Sequence, residues 1–425
     1  MHASVASPMV PNWLRAALAL VVLSATSLAT AGRADCLCGT AADGLAADRA
    51  GLDLEWLVQI PFNAATSTVE HVVIDRDLVV VQTGDGNVVA VQAGDPQDGH
   101  PLPGTILWKH PIDAHAGPFQ PAAIGAGLVA VAHGDGIHAF DRVTGQTLWS
   151  NRFGHLAETG AAVSDGWVYT PFGDGKIMRL PTNPFRKPTV AAMQAADAKQ
   201  EPPAAKKPAA KKKGRSGPPK VESLEPLVLT AGGSVSLQPL PFQDGALWCT
   251  DDGTLVVLDP SGDGWRRNEF FLDRPPAGRP LVHDGAIFAA TTEGDLVRID
   301  SLTEGGAGDL RLGWRVFLDA RPTGPLFATG EQLVVPLGDE GLAVYSTKTG
   351  ELLGRTHVCG RVVAVAAGRI WLVDALGRLA SIDLETGEVR DRFCLGGFTF
   401  PVMNQATDRL ILASPSGAVV SLKAK

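Results

Sequence analysis

Short apolar runs separated by glycine turns recur along most of the chain. The units are LVVVQTGDGNVVAV from Leu78, LVAVAHGDGIHAFD from Leu128, WVYTPFGDGKIMRL from Trp167 and ALWCTDDGTLVVLD from Ala246. They continue as AIFAATTEGDLVRID from Ala286, LVVPLGDEGLAVY from Leu333, IWLVDALGRLASID from Ile370 and LILASPSGAVVSL from Leu410. The turn glycines are Gly86, Gly136, Gly175, Gly253, Gly294, Gly341, Gly377 and Gly417, at intervals of 36 to 50 residues with one exception of 78. Self-similarity at such a period marks a repeat architecture. Within a unit, β-branched and aliphatic residues flank an Asp-Gly or similar pair, which supplies the positive φ that a tight hairpin turn needs. A second turn follows, often Thr-Gly, as in DRVTGQTLW, STKTGELLG and DLETGEVRD. The third strand after it ends in tryptophan at Trp108, Trp149 and Trp314. A looser apolar segment, such as QPAAIGAG, RPLVHDG or GPLFATG, leads into the next unit.

Four short strands per repeat make the blade of a β-propeller. Eight units therefore predict an all-β chain: a single eight-bladed propeller of four-stranded antiparallel blades over residues 54–425. The last unit stops after its third strand, whereas LEWLVQIP (54–61) reads as an outer tryptophan strand with no blade of its own. This N-terminal strand is expected to complete the last blade and close the ring, leaving no long exposed sheet edge.

The hairpin, the LD-x-x-TG turn and the outer-strand tryptophan together resemble the PQQ-type (pyrroloquinoline quinone-like) repeat. That repeat occurs in quinoprotein alcohol dehydrogenases and in BamB-like accessory proteins of outer-membrane β-barrel assembly. The resemblance covers nearly all of residues 54–423 and implies that each tryptophan docks on the neighbouring blade. Blades 6 and 7 depart from the pattern, with Gly354 and Asp391 near the tryptophan position. The resemblance also implies what a quinone enzyme would need: a vicinal cysteine pair, a stacking tryptophan and a Ca²⁺ held by Glu, Asn and Asp. No two cysteines are adjacent here, so neither PQQ nor any other cofactor is expected, and the chain reads as non-catalytic. Fold alone does not decide function. The expectation is a scaffold that binds envelope or outer-membrane proteins, against the alternatives of a PQQ-dependent oxidoreductase or a ligand-sensing propeller.

The remaining segments add an address and a charge asymmetry. Arg15 precedes the apolar run Ala16–Ala31, which ends Ala-Thr-Ala, the pattern of a secretory signal peptide over residues 1–31. The run is shorter than the roughly 20 residues that span a bilayer. An exported protein, periplasmic or extracellular, without a transmembrane segment is therefore expected, with cleavage or retention of the run as the open point. A linker at 32–53 carries Cys36-Leu37-Cys38. With Cys249, Cys359 and Cys394 the cysteines number five, an odd set; Cys359 and Cys394 close equivalent strands and are either core thiols or a disulfide. The long interval holds an insert at 182–222 rich in Lys, Ala and Pro. From Arg186 to Lys220 it carries a net charge of +8 in a chain of −8, which leaves −16 elsewhere. Such a composition cannot bury enough apolar surface to order itself. It reads as either a tolerated insertion or a tether to an anionic surface, and without interleaved aromatics it does not read as a nucleic-acid site.

Two groups stand out as candidate chemistry. His110, His115, His133 and His155 fall in turns and links of blades 1 to 3, where they read first as solvated or turn-capping side chains, although imidazoles gathered on one face would suit a transition metal; His138 follows His133 in the next strand. The aspartates Asp85, Asp135 and Asp174 recur at one turn position, which favours turn formation over calcium binding. The echo of FLDRPPAGRPL with FLDARPTGPL places Arg274, Arg279 and Arg321 in links, either as a patch for an acidic peptide or paired with neighbouring carboxylates.

Overall fold

The apolar runs of the eight repeat units form strands. The computed structural model describes residues 44–94, 101–112, 117–183, 226–259, 266–302 and 309–425. The signal-like segment, Cys36, Cys38, His115 and most of the basic insert lie outside them. Eight four-stranded antiparallel sheets follow one another, seven of them with their strands in chain order from the axis outward. Blades 1 to 7 occupy residues 69–111, 123–152, 162–230, 240–271, 281–317, 327–356 and 360–394. Blade 8 comprises Phe400–Val402, Arg409–Ala413 and Ala418–Ala424, with Leu52–Gln59 as its outer strand.

That last pairing closes the ring, and a buried ion pair fastens it. Leu52 to Gln59 run antiparallel to Ala424 to Ala418. Glu55 sits at a bulge in this strand and accepts from Arg409 Nε and Nη2 at 2.7 and 3.0 Å and from Ser421 Oγ at 2.9 Å. Bidentate guanidinium–carboxylate geometry of this kind is among the stronger polar contacts. A short helix, Gly44–Arg49, precedes the strand within the expected linker, and Ala47 and Ala50 bury themselves against blades 7 and 8.

The core is distributed between blades rather than gathered at one centre. Val79, Val81, Val89 and Val91 of blade 1 meet Ile411, Ala413 and Val419 of blade 8. The opposite face of blade 1 presents Val80, Val88, Ala90 and Trp108 to Val129, Val131 and Phe140 of blade 2. Strand alternation thus assigns one set of side chains to each neighbour.

Tryptophans seal several of these seams by one rule. In the outer strands of blades 1, 2, 5 and 8 a bulge breaks the register, and the next residue is Trp108, Trp149, Trp314 or Trp56. The indole then reaches the following blade. Trp108 Nε1 donates to Arg142 O at 2.9 Å, Trp149 to Thr182 O at 3.3 Å and Trp314 to Thr347 O at 3.1 Å. For Trp108 and Trp314 the Thr-Gly turn of that blade passes under the ring. A Cβ on Gly145 would lie 2.5 Å from Trp108, and one on Gly350 2.9 Å from Trp314, so glycine serves close approach there as well as its positive φ.

One turn differs from its sequence reading. In blade 2 the positive φ belongs to Gly134 (45°), not Gly136, which begins the next strand. Gly136 is held to glycine by proximity instead, since a Cβ would meet Asn151 O at 2.9 Å.

Candidate functional site

Hairpin turns and inter-blade links are tied together on one face. The first N–H of each link donates to a turn carbonyl: Ile112 to Gly86, Phe153 to Asp135, Leu272 to Gly253 and Leu318 to Gly294, at 2.6 to 2.9 Å. The aspartates of these turns act as braces. Asp252 takes a hydrogen bond from the Thr250 hydroxyl, which holds its carboxyl below the usual range. Desolvation works against the Asp85 carboxyl, but hydrogen bonds from Thr83 and Asn87 outweigh it and the net direction is also downward. Asp174 adopts φ 71° in its turn. Among the described residues no group of three or more His, Cys, Asp or Glu side chains converges as a metal site.

The three arginines separate. Arg274 and Arg321 are exposed on the links after blades 4 and 5 and make no hydrogen bond or ion pair among the described residues. Their neighbours Asp273 and Asp319 are engaged elsewhere, with Arg315 at 3.3 Å and Arg355 at 3.4 Å. Arg279 instead turns toward the axis. Its Nε donates to Gln238 O at 2.9 Å and its Nη2 to Pro239 O at 2.7 Å, and it lines the axial cavity with Val73, Pro241 and Leu281. Desolvation there pushes its guanidinium down to about 10. It works as a latch from blade 5 to blade 4, as Gln82 does from blade 1 to Gln120 O and Gln405 from blade 8 to Leu326 O.

Beside Arg274 and Arg321 stand two residues that the sequence reading did not single out. Phe271 and Phe317 end the outer strands of blades 4 and 5 and are 62% and 76% exposed. They occupy the same register position, opposite the residue after the turn glycine: Thr254 and Asp295. The corresponding residues in blades 1, 2, 3 and 6 are Pro111, Arg152, Thr230 and Thr356. The signal was present in the shared Phe-Leu-Asp, where the phenylalanine is the outward residue of an edge strand.

The histidines are drawn into the seam between blades 1 and 2 rather than onto the surface as a group. His133 is 2% exposed, with its ring 4.8 Å from His138, and His138 stacks near Phe140 at 5.9 Å. The His110 ring lies 4.7 Å from that of Phe140. Its Nδ1 donates to Pro111 O at 3.0 Å and its Nε2 accepts from Thr147 Oγ1 at 3.2 Å, a latch between the outer strands of the two blades. Desolvation, then the nearby His133, His110 and Arg152, push His138 down to about 4, so its imidazole is neutral at neutral pH. His155 is exposed and apart. Of the cysteines, Cys249 and Cys359 are free thiols. Cys394 is disulfide-bonded, and Cys359 is not its partner.

A family model described as outer membrane protein assembly factor BamB matches residues 100–201 and 251–392, more than half of the chain. Among solved structures, BamB from Moraxella catarrhalis superposes with a TM-score of 0.58 at 17% identity, covering 87% of this chain and 98% of that one. The computationally designed Ika8 protein superposes with a TM-score of 0.56 at 15% identity, covering 86% and 98%. No curated protein matches the sequence.

Proposed function

This chain belongs to the family described as outer membrane protein assembly factor BamB, and from that membership we propose that it is a non-catalytic scaffold for protein partners in the cell envelope. The family's description supports a role in assembling outer-membrane proteins, and an exported, periplasmic location goes with that role. The observation that carries the reading is the face of blades 4 and 5. Two exposed phenylalanines flank two arginines without partners, on links fixed to the turns by backbone hydrogen bonds. Aromatic and arginine side chains held rigid on a surface are the usual anchors of a protein interface. Arg274 and Arg321 would meet carboxylates while Phe271 and Phe317 enter apolar pockets. Arg279 supports the surface from the axis and does not touch the partner. No cofactor enters this reading.

The test replaces Phe271 and Phe317 with Ala and Arg274 and Arg321 with Glu in one variant. Outer-membrane assembly proteins should co-purify with the wild-type chain from native envelopes and not with the variant, whose melting temperature should stay within a few degrees. An equal yield of the same partners from both proteins would refute the reading.

A further inference from the structure

The seam between blades 6 and 7 lacks the indole that follows the bulge in blades 1, 2, 5 and 8. In blade 6 the bulge falls at Leu353, between the pairs Val344–Gly354 and Tyr345–Leu352. Gly354 is therefore the register equivalent of Trp108, Trp149 and Trp314, and an added Cβ there meets no atom within 4 Å. The carbonyl that would receive an indole N–H is defined by the same equivalence. Arg142 and Thr347 stand three residues before the turn glycines Gly145 and Gly350, and Leu384 stands three before Gly387. No hydrogen bond among the described residues ends on the Leu384 carbonyl.

The space is measurable. A cavity of ≈540 Å³ lies at this seam, lined by Gln332, Ser346, Leu353, Ala366 and Leu384 among others. The equivalent place between blades 2 and 3, where Trp149 is present, has ≈320 Å³, lined by Leu128, Asp141, Leu148 and Thr182. Leu352 and Leu353 are each 52% exposed at the rim of the larger cavity. The rim is also acidic. Glu351, Glu385 and Glu388 are exposed, with no ion pair among the described residues, and backbone bonds tie Glu351 to Ser346 and Glu388 to Asp383.

We propose that the blade 6–7 seam is a receptor for a tryptophan flanked by basic residues on a partner polypeptide. The indole would enter beside Gly354 and donate its N–H to Leu384 O, as the chain's own tryptophans do at three sibling seams. The acidic turns would meet the flanking cations. A second copy of this chain is the weaker occupant, because every tryptophan among the described residues is buried or partly covered. The site is distinct from the Phe271–Phe317 face, so either reading can fail without the other.

The probe is acetyl-Lys-Trp-Lys-amide with 5-fluorotryptophan, titrated with the full chain at low salt and followed by ¹⁹F NMR. Saturable binding is expected, at least fivefold weaker for the 1-methylindole peptide and at least tenfold weaker for Glu-Trp-Glu. Gly354→Trp should fill the seat from within, raise the melting temperature and abolish binding. Should that variant not fold, Leu353→Asp at the exposed rim is expected to weaken binding at least fivefold. Absence of saturable binding, equal binding of the methylated peptide, or binding unaffected by these substitutions overturns the proposal. Self-association that Gly354→Trp removes would overturn it too, by assigning the seat to a second copy.

Discussion

The blade 1–2 seam and the blade 6–7 seam are built from the same repeat and come out as opposites. The first is filled: Trp108 lies over Gly145, Phe140 packs behind it, and two imidazoles occupy the remainder. The second has glycine where the tryptophan belongs and leucines facing water. Since the backbone register is the same, the difference shows that ring geometry does not depend on every seam being sealed. Closure spreads the constraint over all eight seams.

The comparison can be broken most severely at Trp108. Trp108→Ala should cost about 3–5 kcal/mol, from the lost apolar volume and the cavity left behind, read as a shifted urea midpoint. A destabilisation below about 1 kcal/mol would mean that the filled seam holds no more than the open one.

His138 offers a second test, through pH. Its folded value of about 4 lies below the ordinary 6.5, so the unfolded chain binds the extra proton between those values. Stability from this group is fully present above pH 6.5, falls as the pH drops toward 4, and is constant below that. By the size of the shift the loss is on the order of 3 kcal/mol. His138→Leu should flatten thermal stability across that window, and no corresponding change is expected from residues of the open seam.

Glycine substitutions sharpen the contrast. Gly145 and Gly387 have φ of 69° and 71°, so alanine at either meets the same backbone penalty, roughly 1–2 kcal/mol. At Gly145 the new methyl would also lie 2.5 Å from the Trp108 ring, whereas at Gly387 the nearest atom is Arg355 O at 3.2 Å. Gly145→Ala should therefore unfold at clearly lower urea than Gly387→Ala, and equal midpoints would contradict the packing described. The smallest effect is expected for Leu353→Ala, within about 0.5 kcal/mol, because that side chain already faces water.

The fold was legible because its signals repeat. Glycine spacing revealed the blades, and a spare tryptophan strand at 54–61 revealed the closure. Gly354 was visible as a departure, since a repeat makes an omission conspicuous. The site was legible only in part. Arg274, Arg279 and Arg321 share one local motif, but Arg279 lies two residues before the inner strand that begins at Leu281, and the neighbouring blade supplies carbonyls that draw it to the axis. Which way an arginine turns depends on the next blade, information absent from its own repeat. His138 was similarly opaque, because its burial is set by blade 1. Phe271 and Phe317 were missed because an edge-strand aromatic looks like core until the strand beyond it is seen to be absent.

Closing the ring with the first strand also sets an order of events in time. During synthesis Leu52–Gln59 leaves the ribosome first, yet its partner Ala418–Ala424 is made last. Until then Leu52, buried against blades 7 and 8 in the finished ring, has no surface to rest on. Blades 1 to 7 can pair their own strands as they appear, but the last sheet must wait for the whole chain. Contacts of such sequence separation form slowly, so the unclosed ring is the long-lived, adhesive state of this protein, and the one in which it has most need of a chaperone.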